Sequence, residues 1–177
     1  MELGVNYALI LSNNAGLWGC SIGDTVKFVS LNPYRILVTG RIKHFTSAFG
    51  EHVIGEEVDR AMSHALNQLH FSVNEFHVAP QVQPTEGLPY HEWIIEFNGE
   101  IPELNVLQEI LDNKMQEQNV YYKDLIVGSV LQQLRITPVQ NGAFNAYMKS
   151  QGKLGGQNKI PRLANDRKFA DALLQHK

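Results

Sequence analysis

Three charged residues sit in settings where their chemistry could converge. Asp24 follows a glycine in Ser21-Ile22-Gly23-Asp24, and Arg41 follows another in Gly40-Arg41. Lys159 lies in Gly155-Gly156-Gln157-Asn158-Lys159-Ile160-Pro161-Arg162. A carboxylate has two oxygens, so it can accept from both hydroxyls of a vicinal diol such as ribose. A guanidinium offers a planar fork to ribose or phosphate oxygens. One ammonium can neutralise a phosphate as charge moves in a transition state. Taken together, the three side chains suit one nucleotide. Each also has a plainer reading. An aspartate after glycine is a common turn residue. Arg41 beside Lys43 is a solvated charge, and a glycine-rich, lysine-bearing run near a terminus is a flexible tail. The Gly155-Gly156 run is no phosphate-binding loop, because the Gly-Lys-Ser/Thr ending is missing. Trp18 lies close to the aspartate turn; it and Trp93 are expected to pack.

Other chemistry finds less support. The seven histidines, His44, His52, His64, His70, His77, His91 and His176, show no metal-ligand spacing. His77 and His91 fall in expected strands and are read as core-edge or surface residues. Cys20, the one cysteine, has no neighbouring base for nucleophilic catalysis. It also permits no internal disulfide and fits a reducing compartment. A net charge of −3 gives no basic surface for nucleic acid. No apolar run reaches the roughly 20 residues of a membrane helix, so a cytoplasmic protein is expected.

These residues need elements to hold them. Residues 5–12 read as a buried strand, 25–29 and 34–39 as alternating strands, and Gly19 and Gly23 as breaks between them. A strand this close to the start needs a partner, so the chain reads as the end of a longer protein. Gly40 marks a change of character. Arg41–Phe45 and Glu51–Ile54 flank a glycine turn as a hairpin. A helix from Gly55 to about Leu69 carries Val58, Met62, Ala65, Leu66 and Leu69 on one face. Strands follow at 73–80, ended by Pro80, and at 91–97. Pro102 opens the next helix, with Leu104, Leu107, Ile110, Leu111 and Met115 as its stripe. Val120–Tyr122 continues from it, extending to Ile126-Val127. A strand ending at Pro138, a short helix at 143–148 and a last helix bearing Phe169, Leu173 and Leu174 complete the chain. The expected fold is α/β (α+β): a small mixed, mostly antiparallel sheet with flanking helices, preceded by a β-rich remnant. The expected division is residues 1–39, the end of an N-terminal domain, and 40–177, a mobile C-terminal domain with the lysine tail.

In order and spacing these elements resemble a known family. Ala15-Gly16-Leu17-Trp18 through Ile22-Gly23-Asp24-Thr25-Val26 resembles a nucleotide motif of the auxin-responsive acyl acid–amido synthetases, especially their bacterial relatives. Gln157-Asn158-Lys159-Ile160-Pro161-Arg162 is similar to that family's C-terminal lysine motif. Gly40-Arg41 through Glu57 is similar to the hinge and hairpin of the wider adenylate-forming superfamily. Gly19 and Cys20 stand where family members usually carry arginine and an aromatic. The resemblance implies adenylation of a carboxylic acid by ATP, with magnesium as its counter-ion. An amino acid or other amine would then attack and release AMP. By position, Lys159 would be catalytic, while Asp24, Arg41, Trp18 and Gly23 would bind the nucleotide. Lys43 would fall near the pivot. The family's phosphate loop and acyl pocket lie in an N-terminal domain that this chain lacks, so the isolated chain is expected to be inactive. Two alternatives remain: a ligase passing the acyl group to coenzyme A, and a non-catalytic binding module.

Overall fold

The computed structural model describes residues 1–41, 45–152 and 159–175. Lys43 and His44, residues 153–158 of the lysine motif, and His176 lie outside them, as does the side chain of Arg41.

The first unit is one antiparallel sheet. Strands β1 (Asn6–Leu11), β2 (Cys20–Leu31) and β3 (Tyr34–Arg41) pair in the order β1-β2-β3. Gly23 does not break β2. It takes φ +79 inside the strand, where Ala8 pairs with Thr25 but Ile10 pairs with Ser21. Two extra residues on β2 are thus looped out as a bulge, which a glycine tolerates because it has no Cβ to clash. Val26 and Thr39 are buried in this unit. Much else is open: Ile10, Val29, Tyr34, Ile36, Leu37 and Val38 are all exposed.

A two-stranded hairpin follows, β4 (Phe45–Thr46) with β5 (Val53–Ile54). The expected hairpin is present, but Arg41 belongs to β3 rather than to its first arm. Helix α1 (Gly55–Leu69) begins where the Glu57 carboxylate accepts from the Ile54 N–H at 3.1 Å. It ends at His70, which turns left-handed with φ 54. Val58, Ala61, Met62 and Ala65 form its buried face; Ala61 joins the expected stripe, and Leu66 and Leu69 are only partly buried against the core.

The main sheet runs β6-β7-β8, from β6 (Val73–Gln81), β7 (Tyr90–Phe97) and β8 (Arg135–Val139). β6 is antiparallel to β7, and β8 is parallel to it. Both outer strands run through a proline, Pro80 and Pro138, that was expected to end them. Each is an outer strand, so a missing N–H can face away from the ladder. The parallel return is made by α2 (Leu104–Gln118) and α3 (Val120–Val127). Pro102 lies just before α2, whose N-cap is Glu103. Asn119 closes α2 with its backbone N–H and starts α3 with its side chain, which accepts from the Tyr122 N–H at 2.9 Å. Helices α4 (Ala143–Ser150) and α5 (Lys168–Gln175) complete the described elements.

Helices cover both faces of this sheet. Phe76, Val78, Trp93 and Ile95 pack with Val58, Met62, Leu107, Leu111 and Tyr122 on one side. Ala79 and Ile94 pack with Phe144, Tyr147, Met148 and Leu173 on the other. β7 is therefore buried on both faces, without a break from His91 to Phe97. The architecture is the expected α+β one, a small mixed sheet with flanking helices behind a separate β-rich piece.

The buried polar groups depart from expectation. His77 and His91 are not edge or surface residues; both are fully buried, because β7 and the adjoining face of β6 are covered on either side. His91 Nε2 donates to Glu51 Oε1 at 2.8 Å, and Glu51 Oε2 accepts from the Phe49 N–H at 2.9 Å. Burial alone would raise the Glu51 carboxyl. The His91 bond and charge, with the backbone N–H groups of Glu51 and Phe49, bring it below its ordinary value. The His91 ring lies 5.2 Å from that of Tyr122, whose hydroxyl donates to Asp112 Oδ1 at 2.6 Å. Burial, and then Asp112, push the Tyr122 phenol far up. Two buried hydrogen-bonded pairs, joined by the contact of the His91 and Tyr122 rings, thus link the hairpin to α2. Glu51→Ala, which strands His91 without its acceptor, is expected to lower unfolding stability by about 3 kcal/mol. Replacing both with leucine is expected to recover most of that, with urea unfolding of the chain as the measurement.

Candidate functional site: a bulged strand pair and an anchored lysine strip

Asp24 and Arg41 face each other. The β2–β3 register pairs Asp24 with Arg41 and Thr25 with Gly40, then slips by one residue before Val26 and Val38. Thr39 is the residue skipped, and its hydroxyl bonds to Asn6 Oδ1 at 2.7 Å and Thr25 Oγ1 at 3.0 Å. The pair therefore sits between two irregularities, the Gly23 bulge on β2 and the Thr39 slip on β3. Bulges re-aim neighbouring side chains and end regular pairing. Asp24 is half-buried.

Trp18 precedes this region in the β1–β2 connection. The Asn13 side chain accepts from the Ala15 and Leu17 N–H groups at 3.0 and 3.1 Å, and Ser12 Oγ accepts from Gly19 at 3.0 Å. That tight local bonding leaves the indole outside: Trp18 is 82% exposed, so the packing expected of it is corrected. Trp93, by contrast, is fully buried and stacks on Phe76.

Lys159 is exposed and belongs to a different part of the fold. It leads into a strip laid along the outer edge of β6. The Val78 N–H donates to the Arg162 carbonyl at 2.9 Å, and the Ala164 N–H donates to the Val78 carbonyl at 3.0 Å. Leu163 is fully buried, and Ile160 packs on the second core. Hairpin residues hold the same strip from the other side. Thr46 Oγ1 donates to the Ala164 carbonyl at 2.5 Å, and Asn165 Oδ1 accepts from the Ser47 N–H at 2.8 Å. The structure does not place Lys159 in the Asp24–Arg41 pairing; it puts the lysine at the head of this strip.

Two side chains that the sequence reading left without a role fasten the strip. His77 Nδ1 donates to the Pro161 carbonyl at 2.6 Å, while its Nε2 is buried with no hydrogen-bond partner. Since a carbonyl only accepts, the proton must sit on Nδ1. Arg162 forms an ion pair with Glu75, a second with Asp59 at 3.4 Å, and lies 4.4 Å above the Phe76 ring. Burial raises the Asp59 carboxyl, against the pull of Arg162. Arg162 stands in the lysine motif with no partner legible nearby, because Asp59 and Glu75 lie far away in the chain. The two units are themselves joined by Lys27 of β2, whose Nζ meets Glu56 of α1 at 2.7 Å. Among the described residues no group of three His, Cys, Asp or Glu side chains is arranged to hold a metal. No described helix is long and apolar enough to cross a membrane.

Two family models and several solved structures match this chain. The family model described as "GH3 family C-terminal domain" matches residues 56–168, and that described as "GH3 family central domain" matches residues 1–41. Among solved structures, the fold is similar to a GH3.15 acyl acid amido synthetase, at TM-score 0.76 and 19% identity over 99% of this chain. It is also similar to AtGH3.15 acyl acid amido synthetase in complex with 2,4-DB, at TM-score 0.74 and 19% identity over 99% of this chain. A 2-hydroxyisobutyryl-CoA ligase in the postadenylation state gives TM-score 0.47 at 17% identity, over 89% of this chain and 30% of its own. The chain spans about a third of the two synthetases, 34% and 33% of their lengths. No curated protein matches it.

His77 supplies a pH test of how firmly the strip is seated. Burial, opposed by the Pro161 bond, holds its imidazole down at about 4; Arg167 adds to the depression, and Asp166 and Glu92 oppose it. Below the ordinary value of 6.5 the unfolded chain takes up a proton that the folded one refuses. Stability is therefore expected to fall as pH drops from 6.5 toward 4, by on the order of 3 kcal/mol from this group. His77→Gln should flatten that part of the curve in denaturant unfolding measured across the same pH range.

Proposed function

The chain belongs to the GH3 family, and from that premise we propose that it is the C-terminal portion of an ATP-dependent acyl acid–amido synthetase. In the first step a substrate carboxylate oxygen attacks the α-phosphorus of ATP, giving an acyl-adenylate and pyrophosphate. In the second, the amine of an amino acid attacks the acyl carbon. The C–N bond forms, AMP leaves, and the amine proton passes to solvent or a base. ATP carries magnesium as its counter-ion. The rest of the protein, including the acyl pocket, would come from the portion this chain does not span.

The carrying observation is the opposed placement of Asp24 and Arg41 between two strand irregularities, where the match to the family's central domain ends at residue 41. Asp24 would accept both ribose hydroxyls, with Gly23 setting its direction and the exposed Trp18 offering a flat apolar surface to the nucleotide. Arg41 would hold the ribose or phosphate from the opposite strand. Residues 1–39 form the end of the nucleotide-binding domain in this reading, and 40–177 the part that swings between half-reactions. Lys159 would then approach only in the adenylating arrangement, which fits its place on the second unit. It would neutralise the α-phosphate and the charge developing there. A cytoplasmic setting would supply the ATP and suits a single free cysteine, Cys20.

The test uses the parent protein. ATP–pyrophosphate exchange with a panel of carboxylic acids should be detectable, and the product formed with amino acids should be an amide. A thioester formed with coenzyme A and no amide would replace this reading with the thiol ligase. Lys159→Ala is expected to cut the exchange rate on the order of 100- to 1,000-fold, whereas Asp24→Asn should act chiefly by raising the KM for ATP.

A further inference from the structure

We propose that Arg162, with His77, is a positioning residue for Lys159, and this rests on the reading of Lys159 as the lysine that meets the nucleotide phosphate. Residues 160–164 form no regular element beyond one parallel bridge between Leu163 and Val78. Their backbone direction depends on a few discrete ties. Consecutive Cα atoms are about 3.8 Å apart, so Lys159 cannot stray far from where Pro161 and Arg162 are held.

The ties converge on those two residues. The Pro161 carbonyl takes the only proton that His77 can offer at neutral pH. Arg162 makes more contacts than seating a backbone needs. It bridges Asp59 of α1 and Glu75 of β6, donates to the Phe76 carbonyl at 3.3 Å and covers the Phe76 ring. That ring in turn stacks on the buried Trp93, 5.8 Å away and within 6° of parallel. The guanidinium thus indexes the strip against a helix, a strand and the core at once. It also forms one wall of a groove of about 280 Å³ that Asp59, Ser63 and Glu75 help to line. Without Arg162, two carboxylates would face each other across that groove uncompensated, and the strip would lose its electrostatic reason to lie there. A lysine that must meet a phosphate in one arrangement of a moving domain gains from a fixed base, since a displacement of about 1 Å can cost 100-fold in rate.

The experiment is pyrophosphate exchange by the parent protein carrying Lys159→Ala, Arg162→Ala, both together, or Asp59→Asn. Arg162→Ala should lower kcat on the order of 10- to 100-fold with the KM for ATP within about twofold. The double variant should be no slower than Lys159→Ala alone, because a residue acting through another adds nothing once that other is gone. Asp59→Asn loosens the same clamp at a half-exposed carboxylate and should give a smaller kcat loss of the same kind. It serves as the test if Arg162→Ala does not fold. Glu96→Gln, which unloads the start of α4, should lower the melting temperature without changing kcat. An unchanged kcat in Arg162→Ala, or a double variant slower by the product of the two single effects, overturns the proposal while leaving the catalytic reading of Lys159 intact. A silent Lys159→Ala overturns both.

Discussion

β7 carries three ionisable side chains, His91, Glu92 and Glu96, into an interior covered on both faces. A charge taken out of water is tolerated only when partners replace the water. Each partner found here is supplied by a different element. His91 binds Glu51 of the hairpin. Glu92 accepts from Thr137 of β8 and from Arg167, just before α5. Glu96 accepts from the Gly142 and Phe144 N–H groups at the start of α4, where the helix dipole favours a carboxylate. The central strand therefore specifies which pieces must dock on it as well as burying apolar area. A mispacked hairpin or helix would leave one of these three groups bare, which is a strong penalty against alternatives.

The same logic reaches the proposed chemistry. The hairpin held by Glu51 also grips Ala164 and Asn165, on the strip that begins at Lys159. Two sets of ties, one from β6 and one from the hairpin, meet on residues 161–165, whose one regular pairing is the bridge from Leu163 to Val78. Placement of the lysine is thus inherited from the core through short polar links rather than from a helix or strand of its own.

How much of this could be read from the sequence depended on how local each cause was. The helices and strands were legible because apolar spacing and turn residues act within a few positions, as in α1 with Val58, Met62 and Ala65. Pro80 and Pro138 misled because proline's missing N–H matters only if the neighbouring side is occupied, and that is a property of sheet order. Gly23 misled similarly: a glycine reads as a break, but a bulge uses it within a continuous strand. His77 and His91 looked peripheral because their partners, Pro161 and Glu51, are 84 and 40 residues away. Asp24, Arg41 and Lys159 were grouped on residue type, whereas the pairing of Asp24 with Arg41 arises from two register irregularities on neighbouring strands, which have no signature in residue types alone.

The Lys27–Glu56 contact between the first sheet and α1 has a mechanical meaning. In the proposed reaction, a turn of the second unit against the first would strain this pair. Each is about a fifth exposed, with side-chain accessibilities of 22% and 23%. A pair of this kind is worth about 1 kcal/mol or less, so it can bias the resting orientation only severalfold. Glu56 is also held by Arg60 on its own helix, at 2.6 Å, and would not be left bare when Lys27 departs. In that proposed motion the contact would act as a spring-loaded detent, favouring one orientation at rest and yielding without stranding a charge.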